Sequence, residues 1–189
     1  MHKETSSLYW HLFRGVSGNV LDLGSGMGGF AQSKPEEIKL FGIERDLEVS
    51  NFSSGYEQIV QMQIGSKALP FENNFFSAVL ARDILEHIEE PWLVVDEIHR
   101  IMKPGGIFIC SVPKPDPKVV WSDYTHVRGF TYHAINSLVE NSGFTVKDIF
   151  LMSGYTIAAK FGFSKLLPVF GKIPILRNLF DSYHCISYK

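Results

Sequence analysis

The sequence predicts an α/β domain in which a parallel sheet is covered by helices on both faces. Short apolar runs of the kind that form buried strands alternate with segments whose apolar residues recur at helical spacing. The 189 residues are enough to bury a substantial core and match the size of a single domain. Because strands that alternate with helices become parallel neighbours, helices should lie on both faces of the sheet.

The predicted elements follow one another in a regular order. Strands are predicted for the apolar runs 19–23, 39–44, 56–64, 76–81, 106–112, 144–152 and 183–189. A helix is predicted over 90–102, which has Pro91 at its opening and ends at the KPGG turn. A second helix is predicted over 131–143, with Thr131 as its N-terminal cap and a glycine at its end. The stretch 113–130 is predicted to be a loop, and loops of that length often carry function.

Composition and charge exclude several classes of function. The net charge of −2 gives no electrostatic reason to expect nucleic acid as a partner. No apolar run reaches about 18 residues, and the N-terminal segment lacks the pattern of a signal peptide, so we predict a cytoplasmic protein. Cys110 and Cys185 lie in apolar runs and are interpreted as buried reduced thiols. No group of His and Cys has zinc-ligand spacing, so we predict no metal site.

A glycine-rich turn follows the first predicted strand, in the stretch NVLDLGSGMGGF. Gly24, Gly26 and Gly29 fit the G-x-G-x-x-G pattern of NAD and FAD sites, and Gly28 in place of Gly29 gives G-x-G-x-G equally well. In an open α/β sheet the ligand binds beyond the carboxyl ends of the strands, where glycines let the backbone approach it closely. Glu44 ends the second strand, and its carboxylate can accept hydrogen bonds from the ribose of either kind of cofactor.

Asp22, just before this turn, helps to separate the two kinds of cofactor. A carboxylate at ~5 Å from a pyrophosphate would cost roughly 3 kcal/mol of repulsion at an effective dielectric of about 20. S-adenosylmethionine has no phosphate and carries a sulfonium and an ammonium group, which an acid at the tip of the strand suits. The alternative role of Asp22 is to accept hydrogen bonds from loop amides, which is compatible with the first role.

Several stretches resemble, in order, the motifs of class I S-adenosylmethionine-dependent methyltransferases. VLDLGSGMGGF resembles their first motif, GIERD (42–46) their second, acidic motif, and IHRIMKPGGIFICSVP (98–113) their helix, turn and fifth strand. HVRGFT (126–131) is similar to the approach to the sixth strand in the small-molecule branch called methyltransferase type 11. The resemblance implies a Rossmann-like, doubly wound, seven-stranded sheet in three α/β/α layers, mostly parallel with an antiparallel last strand at 183–189.

The resemblance also implies S-adenosylmethionine as the cofactor and a set of residues that contact it. The expected contacts are Asp22, Gly24, Ser25, Gly26, Gly28, Glu44, Arg45, Ser66, Ala81 and Arg82. Members of the family usually place an acid after the third strand, against the adenine amino group. Ser66 is the residue expected to make that contact here, through a neutral hydrogen bond that is about half as strong as a charge-assisted one.

The methyl acceptor is predicted to be a small molecule that binds above the fourth and fifth strands. Its expected contacts are Asp83, His87, Tyr124 and Arg128. His126 is the candidate base because it lies in the loop that should roof the acceptor pocket; the alternative is a structural hydrogen bond within that loop. For His87 a structural or pocket-lining role is favoured over a catalytic one. Glu86, Glu89 and Glu90 are interpreted as solvated helix charges.

The chain is predicted to be one methyltransferase domain over 1–189, with its core at about 15–152. Residues 154–182 are expected to form an insertion or lid before the last strand. Within it, the segment 161–180 alternates basic and bulky apolar residues, which suits a substrate lid or a lipid-facing surface. Two prolines interrupt any long amphipathic helix there, so membrane contact is the less favoured interpretation.

We therefore predict methyl transfer to an oxygen or nitrogen atom of a small molecule. The resemblance of DYTHVRGFT (123–131) to enzymes of cell-surface polysaccharide or lipid modification favours a sugar- or lipid-linked metabolite. The alternative is a non-catalytic module that binds S-adenosylmethionine or S-adenosylhomocysteine and acts through a partner; the polar residues of 123–128 argue against it. An NAD oxidoreductase would call for a separate substrate domain, and Asp22 opposes it. The sequence makes no prediction of oligomeric state.

Overall fold

The computed structural model describes residues 3–46, 48, 54–152 and 181–189. Its strands are β1 Gly18–Leu23, β2 Ile38–Glu44, β3 Gln58–Gln61, β4 Phe76–Arg82, β5 Met102–Pro113, β6 Thr145–Met152 and β7 Ser182–Tyr188. Its helices are α1 Lys3–Leu12, α2 Pro91–Ile101, α3 Pro117–Val120 and α4 Tyr132–Asn141, with short 3₁₀ helices at Gly29–Ser33 and Leu85–His87. The strands form a seven-stranded sheet with the order β3-β2-β1-β4-β5-β7-β6.

The sheet is parallel except for β7. Strand β1 pairs in parallel with β2 and β4, β2 with β3, and β4 with β5. Strand β7 lies between β5 and β6 and is antiparallel to both. The predicted seven-stranded, mostly parallel sheet with an antiparallel last strand is therefore confirmed. Cys110 of β5 faces Cys185 of β7 in register, and both are buried free thiols, as predicted.

Each face of the sheet packs against its own apolar layer. Leu21 of β1 belongs to a cluster with Ile98 of α2 and Ile135 of α4. Its neighbour Val20 belongs to a second cluster, together with Trp10 of α1. Successive side chains of a strand point to opposite faces, so one apolar strand serves both layers. The predicted three-layer arrangement is confirmed.

Helix α1 is an element that the sequence analysis did not predict. Leu8, Tyr9 and Trp10 of this helix are buried. Trp10 stacks on Phe30 with 4.1 Å between the ring centroids, and its Nε1 donates a hydrogen bond to Phe30 O at 2.9 Å. The packed core therefore begins before residue 15, which corrects the predicted limit. The correction arises because the partners of α1 lie far along the chain, where no local pattern shows them.

Two strands differ in length from the prediction. Strand β3 is shorter than the predicted run 56–64, since it lies at the edge of the sheet and pairs on one side with β2. Strand β5 starts at Met102, ahead of the predicted KPGG turn. Phe76 of β4 pairs with Met102 while Ala78 pairs with Ile107, so the residues between are accommodated as an irregularity in β5.

The helix caps predicted for α4, which follows the loop after β5, are observed. Thr131 caps α4, with its Oγ1 accepting a hydrogen bond from Ala134 N at 3.2 Å. Gly143 follows that helix with φ of +89°, a conformation common at helix C-termini. The predicted loop 113–130 also contains α3, which Asp116 caps by accepting a hydrogen bond from Lys118 N.

Among the described residues, no helix is both long enough and apolar enough to cross a membrane. The predicted insertion or lid over 154–182 falls almost wholly outside the described residues, and the segment 161–180 lies outside them altogether. The description resumes at Asp181, directly before β7.

Candidate active site

A cleft of about 310 Å³ opens at the carboxyl ends of β1, β2 and β4. The chain runs from β1 outward to β2 and β3 on one side, whereas β4 and β5 lie on the other. The cleft therefore sits where the strand order reverses, which is the usual ligand position in open α/β sheets. Its lining consists of Gly24, Glu44, Arg45, Met62, Gln63, Ile64, Asp83, Ile84, His87, Ile88 and Thr125.

The glycine-rich turn after β1 forms one wall of the cleft. Gly24 N and Ser25 N both donate hydrogen bonds to Ile43 O of β2, at 2.9 and 3.0 Å. Gly24 has φ of +80°, and a Cβ at this position would lie 2.3 Å from Cδ1 of Ile84. Glycine is therefore required here both by the backbone conformation and by the close approach of the segment after β4.

Glu44, at the end of β2, ties the glycine-rich turn to the second strand. Its Oε2 accepts a hydrogen bond from Gly26 N at 2.8 Å. Its Oε1 accepts hydrogen bonds from Arg45 N and Asp46 N at 2.8 and 3.1 Å. Glu44 also lines the cleft, so its carboxylate is in a position that suits the predicted ribose contact.

Asp22 is buried behind the turn, with 4% of its surface exposed. Its Oδ2 accepts a hydrogen bond of 2.5 Å from the hydroxyl of Tyr56, a partner that the sequence analysis missed. Burial raises the pKa of Asp22 to about 7, although the Tyr56 hydrogen bond and the charge of Arg82 act in the opposite direction. The carboxyl is thus only partly charged at neutral pH. A partly protonated Asp22 repels a pyrophosphate less strongly than the fully charged carboxylate for which the repulsion was predicted.

Four other residues that were expected to contact the cofactor lie in environments that differ from one another. Ser25 is buried, and its hydroxyl has no hydrogen-bond partner among the described residues. Gly28 has φ of +71° and precedes the first 3₁₀ helix. Arg82 ends β4 and is half-buried. Ala81 is fully buried in the apolar core, and its expected contact with the cofactor stays a prediction.

Ser66 lies outside the cleft lining, contrary to the prediction. Its hydroxyl donates a hydrogen bond to Gln63 O at 2.7 Å, and the residue borders a separate pocket. The residues after β3 that line the cleft are Met62, Gln63 and Ile64. The predicted β3 ended at residue 64, whereas the observed strand ends at Gln61. The residue expected to contact the adenine was therefore placed too far along the chain.

Polar groups gather at the other end of the cleft, after β4. Asp83 adopts φ of +51° and its Oδ1 accepts a hydrogen bond from Ser111 Oγ at 2.9 Å. His87 and Thr125 line the cleft beside it. Asp83 and His87 therefore lie where an acceptor was predicted to bind. Thr125 was missed, since a threonine in a loop carries no signal of its own.

Tyr124 and Arg128 do not line the cleft, contrary to the prediction. Tyr124 is 97% exposed. The guanidinium of Arg128 donates hydrogen bonds to Ile88 O, at 3.1 Å, and to Glu89 O. It also lies 5.9 Å from the centroid of the Trp92 ring. Arg128 therefore holds the loop after β5 against the segment after β4, because its Nε and Nη2 donate to two backbone carbonyls of that segment.

Glu86 is buried, with 1% of its surface exposed, although the sequence analysis interpreted it as a solvated charge. The 3₁₀ helix Leu85–His87 directs it inward, and neither carboxylate oxygen has a hydrogen-bond partner among the described residues. Burial and the nearby charge of Asp83 raise the pKa of Glu86 to about 8. His126, the candidate base, lies beside it: Nε2 is 3.9 Å from Glu86 Oε1, and Nδ1 is 2.5 Å from Val120 O.

Comparison with known proteins agrees with this arrangement. The sequence profile of a methyltransferase domain matches residues 21–110, from β1 into β5. The crystal structure of a SAM dependent methyltransferase from Archaeoglobus fulgidus has the same fold. Its TM-score is 0.74 at 18% identity, over 99% of this chain and 92% of that one. Residues 21–110 thus match a methyltransferase domain, and the chain has the fold of S-adenosylmethionine-dependent methyltransferases. The predictions of the family, the fold and S-adenosylmethionine as the cofactor are confirmed.

The curated relatives that the chain matches are longer than the chain. An uncharacterized methyltransferase of Mycobacterium leprae is 28% identical over 96 residues, which cover 49% of this chain and 36% of that protein. Phosphoethanolamine N-methyltransferase 1 of Arabidopsis thaliana is 28% identical over 145 residues, which cover 67% of this chain and 28% of that protein. The chain thus spans less than half the length of these relatives.

Replacing Glu44 by alanine should weaken the binding of S-adenosylhomocysteine to the protein. We expect a loss of about 1.5–3 kcal/mol, the range for hydrogen bonds to a charged group. The reason is twofold: the variant lacks the carboxylate that would hold the ribose, and Gly26 N loses its acceptor. Calorimetric titration measures the loss. Glu57→Ala removes an exposed carboxylate from the neighbouring segment and should bind normally. Equal affinities in both variants would place the ribose contact elsewhere.

Proposed function

We propose that the protein transfers the methyl group of S-adenosylmethionine to an oxygen or nitrogen atom of a small molecule. The observation that carries this proposal is a single cleft with Gly24 and Glu44 at one end and His87 and Thr125 at the other. In methyl transfer the bond between sulfur and carbon breaks as the bond between acceptor and carbon forms. The cofactor supplies the reactivity, so the protein has mainly to hold donor and acceptor in line.

A base is required when the acceptor is a hydroxyl, whereas an amine needs only the right protonation state. His126 as that base stays a prediction. Because Val120 O can only accept a hydrogen bond, Nδ1 of His126 carries the proton in that contact. Nε2 is then the nitrogen that can take a proton, and it is the atom nearest to Glu86.

The surface formed by the loop after β5 supports an acceptor with an apolar part. Trp121 is 58% exposed, Tyr124 97% and Val127 49%. Exposed apolar side chains that cluster in one segment are typical of surfaces that bind apolar groups. A lipid-linked metabolite fits this surface, in line with the resemblance of the loop. A cytoplasmic location stays a prediction, and membrane contact through 161–180 stays the less favoured interpretation.

The binding part of the proposal is tested by thermal unfolding. S-adenosylmethionine and S-adenosylhomocysteine should raise the melting temperature, whereas NAD and NADP at the same concentration should not. A ligand that binds the native state at a hundredfold excess over its Kd adds about 2.7 kcal/mol to the free energy of unfolding. Stabilisation by NAD without stabilisation by the methionine compounds would contradict the proposal.

The catalytic part requires a different experiment, because a non-catalytic binding module would give the same thermal shift. The protein is incubated with S-adenosylmethionine labelled at its methyl group and with small-molecule and lipid extracts of the cells that make it. Phosphoethanolamine, which the name of the Arabidopsis relative mentions, is the first pure amine to test. Label should appear in an extracted metabolite. Cofactor binding without any transfer of label would favour the binding module.

A further inference from the structure

We propose that Glu86, His87 and His126 bind a divalent transition-metal ion, such as Zn²⁺, at the acceptor end of the cleft. One ligand atom from each residue lies within 4.8 Å of the others. Two imidazoles and one carboxylate are a donor set that Zn²⁺ and its first-row neighbours use, with further coordination positions left open. The proposal differs from the sequence-based prediction of no metal site, because His126 lies on a different loop from Glu86 and His87 and the spacing along the chain does not bring them together.

The surroundings of Glu86 point to a missing cation. Its side chain is almost fully buried, yet neither oxygen has a hydrogen-bond partner among the described residues. A buried carboxylate without a partner is costly, so buried acids are normally paired or coordinate a metal. The nearest basic group, Nε2 of His126, is 3.9 Å away, which is beyond hydrogen-bond distance.

Both histidines are held in the form that binds metal ions. The hydroxyl of Thr125 donates to Asp123 Oδ1 at 2.6 Å, so in its 3.0 Å contact with His87 Nδ1 the threonine oxygen accepts. His126 Nδ1 donates in the same way to Val120 O. With Nδ1 protonated in both rings, Nε2 of each neutral imidazole carries the lone pair. An oxygen acceptor at the other nitrogen is the usual support of a metal-binding histidine.

The two segments that supply the ligands are tied to each other. Val127 N donates a hydrogen bond to Glu86 O at 2.9 Å, and Arg128 donates to the carbonyls of Ile88 and Glu89. His126 is thus held opposite the 3₁₀ helix by contacts on its C-terminal side. Donor atoms around a tetrahedral Zn²⁺ lie about 3.3 Å apart, so the three side chains have to close by somewhat more than an ångström around the ion.

An ion in this position would serve the reaction by binding the acceptor. His87 lines the cleft, so an open coordination position at the ion would face the space where the acceptor was predicted. A hydroxyl bound to the ion would lose its proton near neutral pH, which gives an oxygen nucleophile. With Nε2 of His126 bound to the ion, the ion would replace His126 as the group that activates the acceptor hydroxyl. This role rests on the proposed function, whereas the binding of the ion does not.

The test measures metal binding and not turnover. The full chain is treated with a chelator, dialysed, and titrated separately with Zn²⁺, Mn²⁺ and Co²⁺ by calorimetry, and Co²⁺ binding is also followed by its visible d–d absorption. The wild type should bind one ion per chain. Glu86→Gln, which keeps the shape of the side chain, and His126→Ala should each weaken binding by about 100-fold or more, since changes to outer residues alone cost about 10–100-fold. Thr125→Val removes the nearer of the two oxygen acceptors of His87 Nδ1 and leaves Thr125 O at 3.3 Å, so it should weaken binding by no more than that outer range.

Glu89→Gln and His133→Ala are the matched controls, because both residues are exposed and lie outside the cluster. They should bind the ion like the wild type. The proposal is overturned if none of the three ions binds the wild type, or if Glu86→Gln and His126→Ala keep both the affinity and the Co²⁺ absorption. Neither result bears on the binding of S-adenosylmethionine, which is measured separately.

Discussion

Replacing Gly24 by alanine is expected to lower the affinity for S-adenosylhomocysteine by about 100-fold or more, which corresponds to about 3 kcal/mol. A Cβ at this position would lie 2.3 and 2.7 Å from two carbons of Ile84. To relieve this contact, Ile84 has to move, and both residues line the cleft. The new side chain and the displaced isoleucine would then occupy the space where the cofactor is expected. Calorimetric titration of the folded variant measures the loss.

Gly105→Ala separates this effect from simple backbone strain. Gly105 has φ of +76°, close to the +80° of Gly24, and a Cβ there would meet no described atom within 4 Å. It lies at the irregular start of β5, at the opposite end of the strands from the cleft. Both variants should lose stability, because alanine is strained in this conformation. Normal affinity is expected for Gly105→Ala alone. Normal affinity in Gly24→Ala as well would show that the turn is not the cofactor wall.

Replacing Glu86 by glutamine is expected to change how the stability of the metal-free protein depends on pH. Burial raises the pKa of Glu86 from 4.5 to about 8. Between these values the folded protein keeps the proton that the unfolded chain has lost, so the stability of the wild type falls as the pH rises through this window. Glutamine does not titrate. The stability of Glu86→Gln relative to the wild type should therefore grow by about 3–5 kcal/mol between pH 5 and about pH 9.

Denaturant unfolding at several pH values, with a chelator present, measures this difference. Asp22 also has a raised pKa, but it titrates in both proteins and cancels in the comparison. Glu89→Gln, which removes an exposed carboxylate from the same segment, should follow the wild type. Parallel curves for the wild type and Glu86→Gln would mean that Glu86 is solvated, as the sequence analysis first assumed.

Local patterns were sufficient to predict the elements that build the cleft. Apolar runs predicted the strands, because a strand that is buried on both faces must be apolar along its length. Gly24 predicted the turn because its backbone conformation, with φ of +80°, favours glycine. Thr131 predicted the start of α4, because its hydroxyl accepts a hydrogen bond from a backbone amide of the first helical turn. Each of these signals depends on neighbours along the chain or on backbone geometry, so the sequence alone reveals it.

The functional detail at the acceptor end was decided by the tertiary structure. Glu86 and Glu89 look alike in the sequence, yet one is buried and the other exposed. Arg128 was expected to contact an acceptor, but its Nε and Nη2 donate to the carbonyl groups of Ile88 and Glu89. His126 meets Glu86 because two loops pack together. The sequence thus determined the fold, the glycine-rich turn and the position of Glu44 at the end of β2. Burial and hydrogen-bond partners between distant segments decided the rest, since the charge and contacts of a side chain depend on what packs around it.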